Sequence, residues 1–468
     1  MYLSQHDLLT GAITLAIILL ALFSIEITVK KKLLSKLIGR KLLHITAICS
    51  CAYAIHSFEN KTVLAYIFLS FFFVLLAIIN KGWMQVNAYK TYGIALFPLA
   101  FSVLLFIPVF PNNTIVFAAL ILGICDAAAG LAGEYFGKQK ITFLFENKSW
   151  AGFIAFYLSA LLLSFCWYSF NLSASKILFC ALLALLPAIT ELFSYKGSDN
   201  FTVPVFAAIW MLLLKNLMPG EHLVLLLCIV VFIALCFFAV YKKWLTVSGA
   251  TAALWMALLL LVTGGLKAFI APGIFLLSGS LLSKLNKNDK EKNGRNAIQV
   301  FCNGIVGISC LIIFAVSHQQ VYLLAALVSF CISMSDSVSS ELGTYLKGTT
   351  VDMLSFKKLP PGISGGISWQ GSLSGLIGAA ILAAAVCLAY QFSLTVFLWL
   401  TVSGFTGMLT DSILGSTVQK KYTSATGAII EDYETNAVKT KGFNWCNNDM
   451  VNILSNILIT ALFLLLYR

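Results

Sequence analysis

The polar residues that could do chemistry in this chain fall into two groups, one in each half of an otherwise apolar sequence. The first group contains carboxylates and cations between residues 40 and 200, and the second contains acids, amides and cations between residues 295 and 449. Charged residues are costly in hydrocarbon, and those that line a membrane bundle usually mark a functional site. Each half of the chain is therefore a candidate for a polar site.

In the first half, Asp126 lies among glycines and alanines that allow a ligand or another helix to approach closely. A carboxylate in such a place can hold magnesium that bridges nucleotide phosphates. Lys148 lies at the start of the next apolar segment, where a helix N-terminus favours phosphate. Arg40, Lys41 and His44 are one helical turn apart and can share a face. The remaining candidates in this half are Lys138, Ser149, Glu191, Asp199 and Asn200.

Each of these features also has a purely structural explanation. Small residues in a span usually serve helix packing, and Arg40 with Lys41 can anchor the topology. His44 can be an interfacial polar residue, Asp199 with Asn200 can cap a helix, and Lys148 can belong to an ordinary basic loop. Their order along the chain carries more information than any one of them.

That order resembles the family of dolichol kinase, phytol kinase and related membrane lipid kinases. The resemblance covers about residues 1–217, although Cys125 stands where family members usually have glycine. It implies transfer of the terminal phosphate of a nucleotide, usually CTP, to a long-chain isoprenoid alcohol. The matching features are Arg40-Lys41-x-x-His44, Asp126 with Gly133, Gly137-Lys138, Lys148-Ser149-x-x-Gly152, Glu191, and Asp199-Asn200 with Pro204.

In the second half, Arg295, Gln299 and Asn303 have a spacing that puts them along one stripe of a helix. Asp336 and Glu341 are five residues apart and would diverge by about 140° on a regular helix. Either the helix ends between them or they serve different partners. A glycine-rich loop beside a lysine can cradle phosphate. The remaining candidates are Lys358, Gly362, Gly365, Gly366, Asp411 and Asp449.

These features have structural alternatives as well. The stretch with Pro360, Pro361 and Gly362 can be a simple turn, and Asn448 with Asp449 can cap a helix. The Arg295 stripe can be a packing network, and Asp411 can lie in water at the membrane surface.

Taken in their order along the chain, the polar residues from Arg295 to Asp449 resemble those of a widespread integral-membrane family that includes plant phytyl-phosphate kinase. The resemblance runs from Leu245 to Asn452, with Ser337 where that family often has threonine. It implies phosphorylation of an isoprenoid monophosphate to the diphosphate.

Composition places the chain among polytopic membrane proteins, because 60% of its 468 residues are hydrophobic and only 11% are charged. At about 20 apolar residues per span, we expect about sixteen spans. The net charge of +12 does not indicate nucleic acid, because lysines and arginines fall in short alternate loops. The twelve cysteines lie mostly in apolar segments and suggest neither metal sites nor disulfides. The first apolar segment is too long for a cleavable signal peptide.

The alternation of basic loops predicts an even number of spans with both termini outside and both polar groups at the cytoplasmic face of the inner membrane. A transporter would instead place polar groups near the middle of the bilayer on broken helices. The sequence therefore favours an enzyme over a transporter.

We predict an all-α protein with two membrane domains, 1–217 and 222–468. We interpret it as a bifunctional isoprenoid-lipid kinase that uses CTP and Mg²⁺, first on an alcohol and then on its monophosphate. Expected magnesium ligands are Asp126 and Asp199 in the first half and Asp336, Glu341, Asp411 and Asp449 in the second. Expected catalytic groups are the four aspartates Asp126, Asp199, Asp336 and Asp411. The alternatives are a cytidylyltransferase that makes a CDP-lipid, and a lipid or solute transporter. The sequence leaves the oligomeric state open.

Overall fold

In the computed structural model the chain is built almost entirely from helices, which confirms the prediction of an all-α polytopic protein. The structure describes residues 3–81, 92–141, 148–168, 173–194, 197–282, 294–424, 429–431, 433, 435 and 437–467. They form two compact units, Met1–Leu227 and Cys228–Arg468. The boundary between them lies inside the helix Pro219–Tyr241, a few residues after the predicted boundary between residues 217 and 222.

The described residues of the first unit form nine helices and the first part of a tenth, which continues into the second unit. A π turn at Ile121–Cys125 joins α5 to α6, so the two form one continuous segment. The short strands β1 (Lys140–Ile141) and β2 (Lys148–Ser149) pair antiparallel. The helices are α1 (Gln5–Lys30), α2 (Lys36–Ser57), α3 (Lys61–Asn80), α4 (Gly93–Phe106), α5 (Asn112–Leu120), α6 (Asp126–Phe136), α7 (Trp150–Trp167), α8 (Ala174–Phe193), α9 (Asp199–Lys215) and α10 (Pro219–Tyr241).

In the part of the second unit that the structure describes, the chain forms seven further helices and two small antiparallel sheets. A 3₁₀ turn at Leu266–Phe269 precedes α12. Strands β3 (Val351–Asp352) and β4 (Gly366–Ile367) form a hairpin, and in the other sheet β5 (Lys421–Thr423) lies between β6 (Ile429–Ile430) and β7 (Val438–Lys441). The helices are α11 (Val247–Gly264), α12 (Ile270–Leu282), α13 (Ala297–Ser317), α14 (Gln320–Tyr345), α15 (Trp369–Tyr390), α16 (Leu394–Thr417) and α17 (Asn448–Leu466).

Within the described residues, twelve helical segments are long and apolar enough to cross a membrane, counting α5 and α6 as one. The sequence suggested about sixteen. The other four helices are α2, α4, α9 and α12. The last three are shorter, and α2 carries Lys36, Arg40, Lys41 and His44 in its first half. An apolar run in a sequence does not reveal where a helix ends, which explains the difference.

Side chains that accept hydrogen bonds from backbone N–H groups fix several helix starts next to the polar regions. The Ser149 hydroxyl accepts from the N–H of Gly152 at 3.1 Å, Ser368 accepts from Gly371 at 3.1 Å, and Asn447 accepts from Met450 at 3.0 Å. Such caps satisfy donors that have no partner inside the helix. The helix starts are therefore well determined where the polar side chains project.

The core of the second unit is organised around α14, whose residues from Leu323 to Ser335 are all buried. Small residues of α15 let the two helices approach closely, and the Ser335 hydroxyl donates to the carbonyl of Gly375 at 3.0 Å. The Ser329 hydroxyl donates to Asn456 of α17 at 2.8 Å. This packing fixes the position at which Asp336 leaves the core.

Candidate active sites

In the first unit, Asp126 is the centre of a group of ionisable side chains drawn from separate helices. The Lys41 ammonium of α2 donates to Oδ2 of Asp126 at 3.0 Å and to its backbone carbonyl at 3.3 Å. His44 Nε2 lies 3.6 Å from the same carboxylate oxygen. The predicted shared face of Lys41 and His44 is therefore real, and it points at Asp126.

Two features of the backbone make this contact possible. The π turn that ends at Cys125 adds a residue to the helix just before Asp126, a feature often found at functional sites. Gly130 leaves room for Lys41, because a Cβ at this position would overlap Cε of Lys41. The small residues after Asp126 thus have a specific steric role beyond ordinary helix packing.

A second ion pair lies beside the first. The Lys148 ammonium donates to Oε1 of Glu191 at 2.5 Å, and both side chains are largely buried. Burial opposes the charged form of Lys148, but the nearby carboxylates of Glu191 and Asp199 outweigh it and raise the pKa of this lysine above its usual value. Lys148 is therefore positively charged throughout the physiological pH range.

The carboxylates of Asp126, Glu191 and Asp199 form one compact group, with an oxygen of each within 4.8 Å of the other two. Three carboxylates so close together repel one another, and a divalent cation relieves that repulsion. Oxygen donors of this kind are what Mg²⁺ prefers, usually with water and phosphate oxygens completing its shell. The residues of this site fit a magnesium ion, and Glu191 joins the expected ligands Asp126 and Asp199.

Several sequence candidates have other places in the first unit. Ser149 caps α7, and Asn200 donates its backbone N–H to Oδ1 of Asp199 at 3.0 Å. Arg40 and Lys138 are both exposed, so the structure does not bring their side chains into the carboxylate group. Arg40 is exposed to the surroundings, whereas Lys41 and His44 of the same helix contact Asp126.

Sequence reasoning missed the contact that brings α8 and α9 together. The hydroxyls of Ser194 and Thr202 lie 2.6 Å apart and join the end of α8 to the start of α9. This places Glu191 beside Asp199. Only the short polar interval between the two apolar segments hinted at such a turn.

In the second unit seven of the eleven predicted residues line a polar cavity of about 450 Å³. Asp336 of α14, Asp411 of α16 and Asp449 of α17 line it, together with hydroxyl groups and the glycine-rich loop. A smaller polar cavity of about 140 Å³ adjoins it, since Gln299, Asp336 and Asp449 line both. We call the two adjoining cavities the polar basin of the second unit. The predicted glycines that line it are Gly362, Gly365 and Gly366.

The glycine-rich loop is held rigidly at Ser364. Its N–H donates to Glu431 at 2.6 Å, its hydroxyl donates to Asn448 at 2.9 Å, and its carbonyl accepts from the Lys421 ammonium at 2.6 Å. Gly365 has φ +80°, and a Cβ there would lie 2.5 Å from the backbone nitrogen of Ser416. The loop is therefore more than a simple turn: it is a fixed wall of the cavity.

Arg295, Gln299 and Asn303 do not all lie on one helix, although their spacing predicted that they would. Arg295 precedes the helix, because α13 begins at Ala297 with Asn296 as its cap. Gln299 completes a capping box with Asn296, each side chain accepting from the other's backbone N–H at 3.0 Å. All three predicted residues nevertheless line the smaller cavity.

The acids of the second unit are spread around the basin. Helix α14 continues through both Asp336 and Glu341, so the alternative of a helix end between them is wrong. Asp336 lines both cavities and Glu341 lines only the smaller one.

The acids of α16 and α17 have different surroundings. Asp411 is buried and accepts a hydrogen bond from Ser455 at 3.2 Å. Asp449 does not cap α17, because Asn447 does. In the described part of this unit no three acids approach one another as closely as Asp126, Glu191 and Asp199 do.

The lysine that lines the polar basin is Lys420, whereas the sequence predicted Lys358. Lys358 is exposed and does not line the basin, whereas Lys420 does. The neighbouring Lys421 is buried, and burial lowers its pKa although Glu431 and Asp352 oppose the shift. The long polar stretch between α16 and α17 was the sequence signal for these residues, but proximity to the Pro-Pro-Gly turn favoured Lys358 instead.

Comparison with known proteins bears on the second unit. Residues 230–460 match the family model described as integral membrane protein DUF92. This range contains Arg295, Asp336, Asp411 and Asp449, so the whole polar basin lies inside the matched region.

The chain is similar to the chloroplast protein VTE6 of Arabidopsis thaliana, at 28% identity over 224 residues that cover 45% of this chain and 62% of that protein. Protein PGR of the same plant is 24% identical over 272 residues, or 51% of this chain and 93% of PGR. An uncharacterized membrane protein of Synechocystis, sll0875, is 26% identical over 42% of this chain and 80% of its own length. No solved structure matches the chain at a significant level.

Proposed function

We propose that the protein is a bifunctional isoprenoid-lipid kinase that uses CTP and Mg²⁺ at the cytoplasmic face of the inner membrane. The first unit phosphorylates a long-chain isoprenoid alcohol, and the second converts the monophosphate to the diphosphate. One observation carries the proposal: each unit gathers at least three acids, together with basic side chains, at the polar ends of apolar helices. The resemblances of the two halves to membrane lipid kinases support it.

In the first unit, the alcohol oxygen forms a bond to the terminal phosphorus of CTP while the bond from that phosphorus to the bridging oxygen breaks. The products are the isoprenyl phosphate and CDP, and the hydroxyl proton leaves to a carboxylate or to water. Asp126, Glu191 and Asp199 would hold the magnesium ion, which would supply positive charge to balance that of the phosphates. Lys41 orients Asp126, and the charged Lys148 stabilises the phosphates that approach Glu191.

In the second unit, an oxygen of the isoprenyl phosphate attacks the terminal phosphorus of a second CTP, again with release of CDP. In this unit Asp336, Asp411 and Asp449 would hold the magnesium ion, which would supply positive charge to balance that of the phosphates. Arg295 and Lys420 balance the charge, and the fixed glycine loop offers backbone N–H groups to phosphate.

The test is a labelled-nucleotide assay of the purified protein with geranylgeraniol, phytol or a longer polyprenol. Monophosphate should appear first and diphosphate later. Asp126→Asn should block the first step and still convert supplied monophosphate, whereas Asp336→Asn should let monophosphate accumulate. If both variants remain folded and lose both steps equally, the assignment of one step to each unit is wrong.

Mass spectrometry of the products separates this proposal from the other classes. A CDP-lipid with release of pyrophosphate would identify a cytidylyltransferase. Movement of lipid between leaflets without nucleotide consumption would identify a transporter.

A further inference from the structure

The second unit contains an apolar cleft of about 250 Å³ beside its polar basin. Residues of α10, α11, α12 and α13 line it, and nearly all of them are apolar. Phe232, Leu260 and Ile308 are examples from three of these helices. Neither the polar motifs nor the chemistry proposed for this unit accounts for such a space.

The cleft opens onto the basin through shared residues. Arg295, Gln299 and Asn303 line the cleft and also the smaller polar cavity that contains Asp336 and Asp449. The Arg295 guanidinium lies 5.0 Å above the ring of Phe275. A cation on the rim of an apolar space, next to a basin of acids and glycines, fits a molecule with a phosphate at one end and an apolar chain at the other.

The cleft has a defined direction. At its polar end, the backbone of Leu245 is bridged to that of Arg295. At its other end, the rings of Phe232 and Phe269 lie 4.7 Å apart. On α13 the lining residues extend from Gln299 to Ile308, a length of about 14 Å along the helix axis. The cleft therefore extends along α13, and Arg295, the one charged side chain among its described lining residues, lies at its polar end.

We propose that this cleft binds the isoprenoid chain of the monophosphate substrate and holds its phosphate at Arg295. The proposal rests on the function proposed for the second unit. The chain gains little by leaving a bilayer that is as apolar as the cleft, so the cleft acts mainly by orienting the phosphate toward the basin. A structural phospholipid in the same place would put its own headgroup in the basin and obstruct it.

Gly273 offers a way to block the cleft without disturbing its walls. It lines the cleft, and a Cβ at this position would have no atom within 4 Å. Gly220 is a matched control, because it also lies in the first turn of a helix, has no atom within 4 Å of a Cβ, and does not line the cleft. The variants Gly273→Phe and Gly220→Phe therefore add the same ring in two different places.

The assay measures diphosphate formation from geranylgeranyl phosphate and from the short-chain dimethylallyl phosphate. Gly273→Phe should lower kcat/KM for the long substrate by about tenfold or more and leave the value for the short one within about twofold. Gly220→Phe should behave as wild type with both. An equal loss on both substrates, or no loss on either, would overturn the proposal.

A second measurement does not depend on turnover. Geranylgeranyl phosphate with a diazirine near the end of its chain should label peptides from α10 to α13 in the wild type and in Gly220→Phe, but not in Gly273→Phe. Unmodified geranylgeranyl phosphate should compete for the label. If phosphatidylglycerol competes equally well, the cleft is a site for bulk lipid and the proposal is wrong. Specific labelling without any kinase activity would instead contradict the proposed function and leave the chain-binding site standing.

Discussion

Individual residues of the first unit show how much a buried ion pair depends on its surroundings. Lys41 and Asp126 are 15% and 12% exposed, and their pairing needs the space left by Gly130. Removing one partner of such a pair leaves a charge without compensation, which costs more than the pair itself contributes. Arg40, the next residue along the helix, is exposed.

We therefore expect Lys41→Met to lower the free energy of unfolding by about 3 kcal/mol and to abolish phosphorylation of the alcohol. The physical reason is the uncompensated carboxylate of Asp126. Lys36→Met is the matched control, because Lys36 lies on the same helix and is exposed. Melting in detergent and alcohol-kinase activity are the measurements. Equal effects of the two substitutions would contradict the role given to Lys41.

At the scale of secondary-structure elements, the hairpin of β3 and β4 connects α14 to α15 and carries the glycine loop at its edge. Two glycines of this loop have positive φ, +84° at Gly362 and +80° at Gly365. Their surroundings differ, because a Cβ at Gly362 would meet only Thr344 at 3.9 Å, whereas one at Gly365 would meet the backbone of α16 at 2.5 Å.

This difference gives a prediction with an internal control. Both Gly362→Ala and Gly365→Ala should carry the cost of a left-handed conformation, about 1 kcal/mol. Only Gly365→Ala should displace the loop from α16, and a displacement of this kind should lower diphosphate formation by about a hundredfold. Steady-state kinetics of the second step compares the two. Equal losses would show that the contact with α16 has no importance for the reaction.

The same hairpin should respond to acid. Burial tends to raise the pKa of Asp352, but four hydrogen bonds to its carboxylate hold that pKa below its usual range. The donors are the Ser416 hydroxyl, the Ser355 hydroxyl and the backbone N–H groups of Leu354 and Ser355. A carboxyl group with a lowered pKa in the folded state stabilises that state above its ordinary pKa, about 4, and this contribution disappears as the pH falls further.

We expect hydrogen-exchange protection of β3 and β4 to fall as the pH decreases below about 4. Asp352→Asn should be less stable at neutral pH by about 1–3 kcal/mol and should lose this pH dependence. Exchange measured by mass spectrometry across that range checks it. A variant that keeps the acid response of the wild type would show that another group titrates there.

For the whole molecule, the two units are similar in the kind of site they build and different in its geometry. The first brings three carboxylates within 4.8 Å, and the second spreads its acids around about 450 Å³. A compact cluster suits direct metal binding, and an open basin suits a metal held together with phosphates. The charge pattern of the loops predicts that both sites face the cytoplasm.

Cysteine labelling in a cysteine-free variant tests that orientation. Lys138→Cys and Lys358→Cys, both at exposed positions, should react with a membrane-impermeant reagent only from the cytoplasmic side. His318→Cys, in the exposed turn between α13 and α14, should react only from the opposite side. Labelling of positions 138 and 358 from different sides would contradict the proposal that both sites face the cytoplasm.

The sequence by itself determined the helical membrane architecture and identified most of the polar residues that line the two candidate sites. Long apolar segments predict helices, because backbone N–H and C=O groups in hydrocarbon must form their hydrogen bonds within the segment. Charged residues are rare in such segments, so Asp126, Asp336 and Asp411 are conspicuous from residue type and position alone. The capping residues were harder to read: the sequence suggested Asn448 with Asp449, but Asn447 caps α17, and the candidate binding residue Ser149 caps α7.

Only the tertiary structure decided which of these residues meet. The convergence of Glu191 with Asp126 and Asp199, the choice of Lys420 over Lys358, and the apolar cleft beside Arg295 all depend on how helices distant in sequence pack. Local patterns report which face of a helix is polar, but the partner of that face is set by steric fit between small and large side chains. That fit is a property of the folded chain, and no single segment contains it.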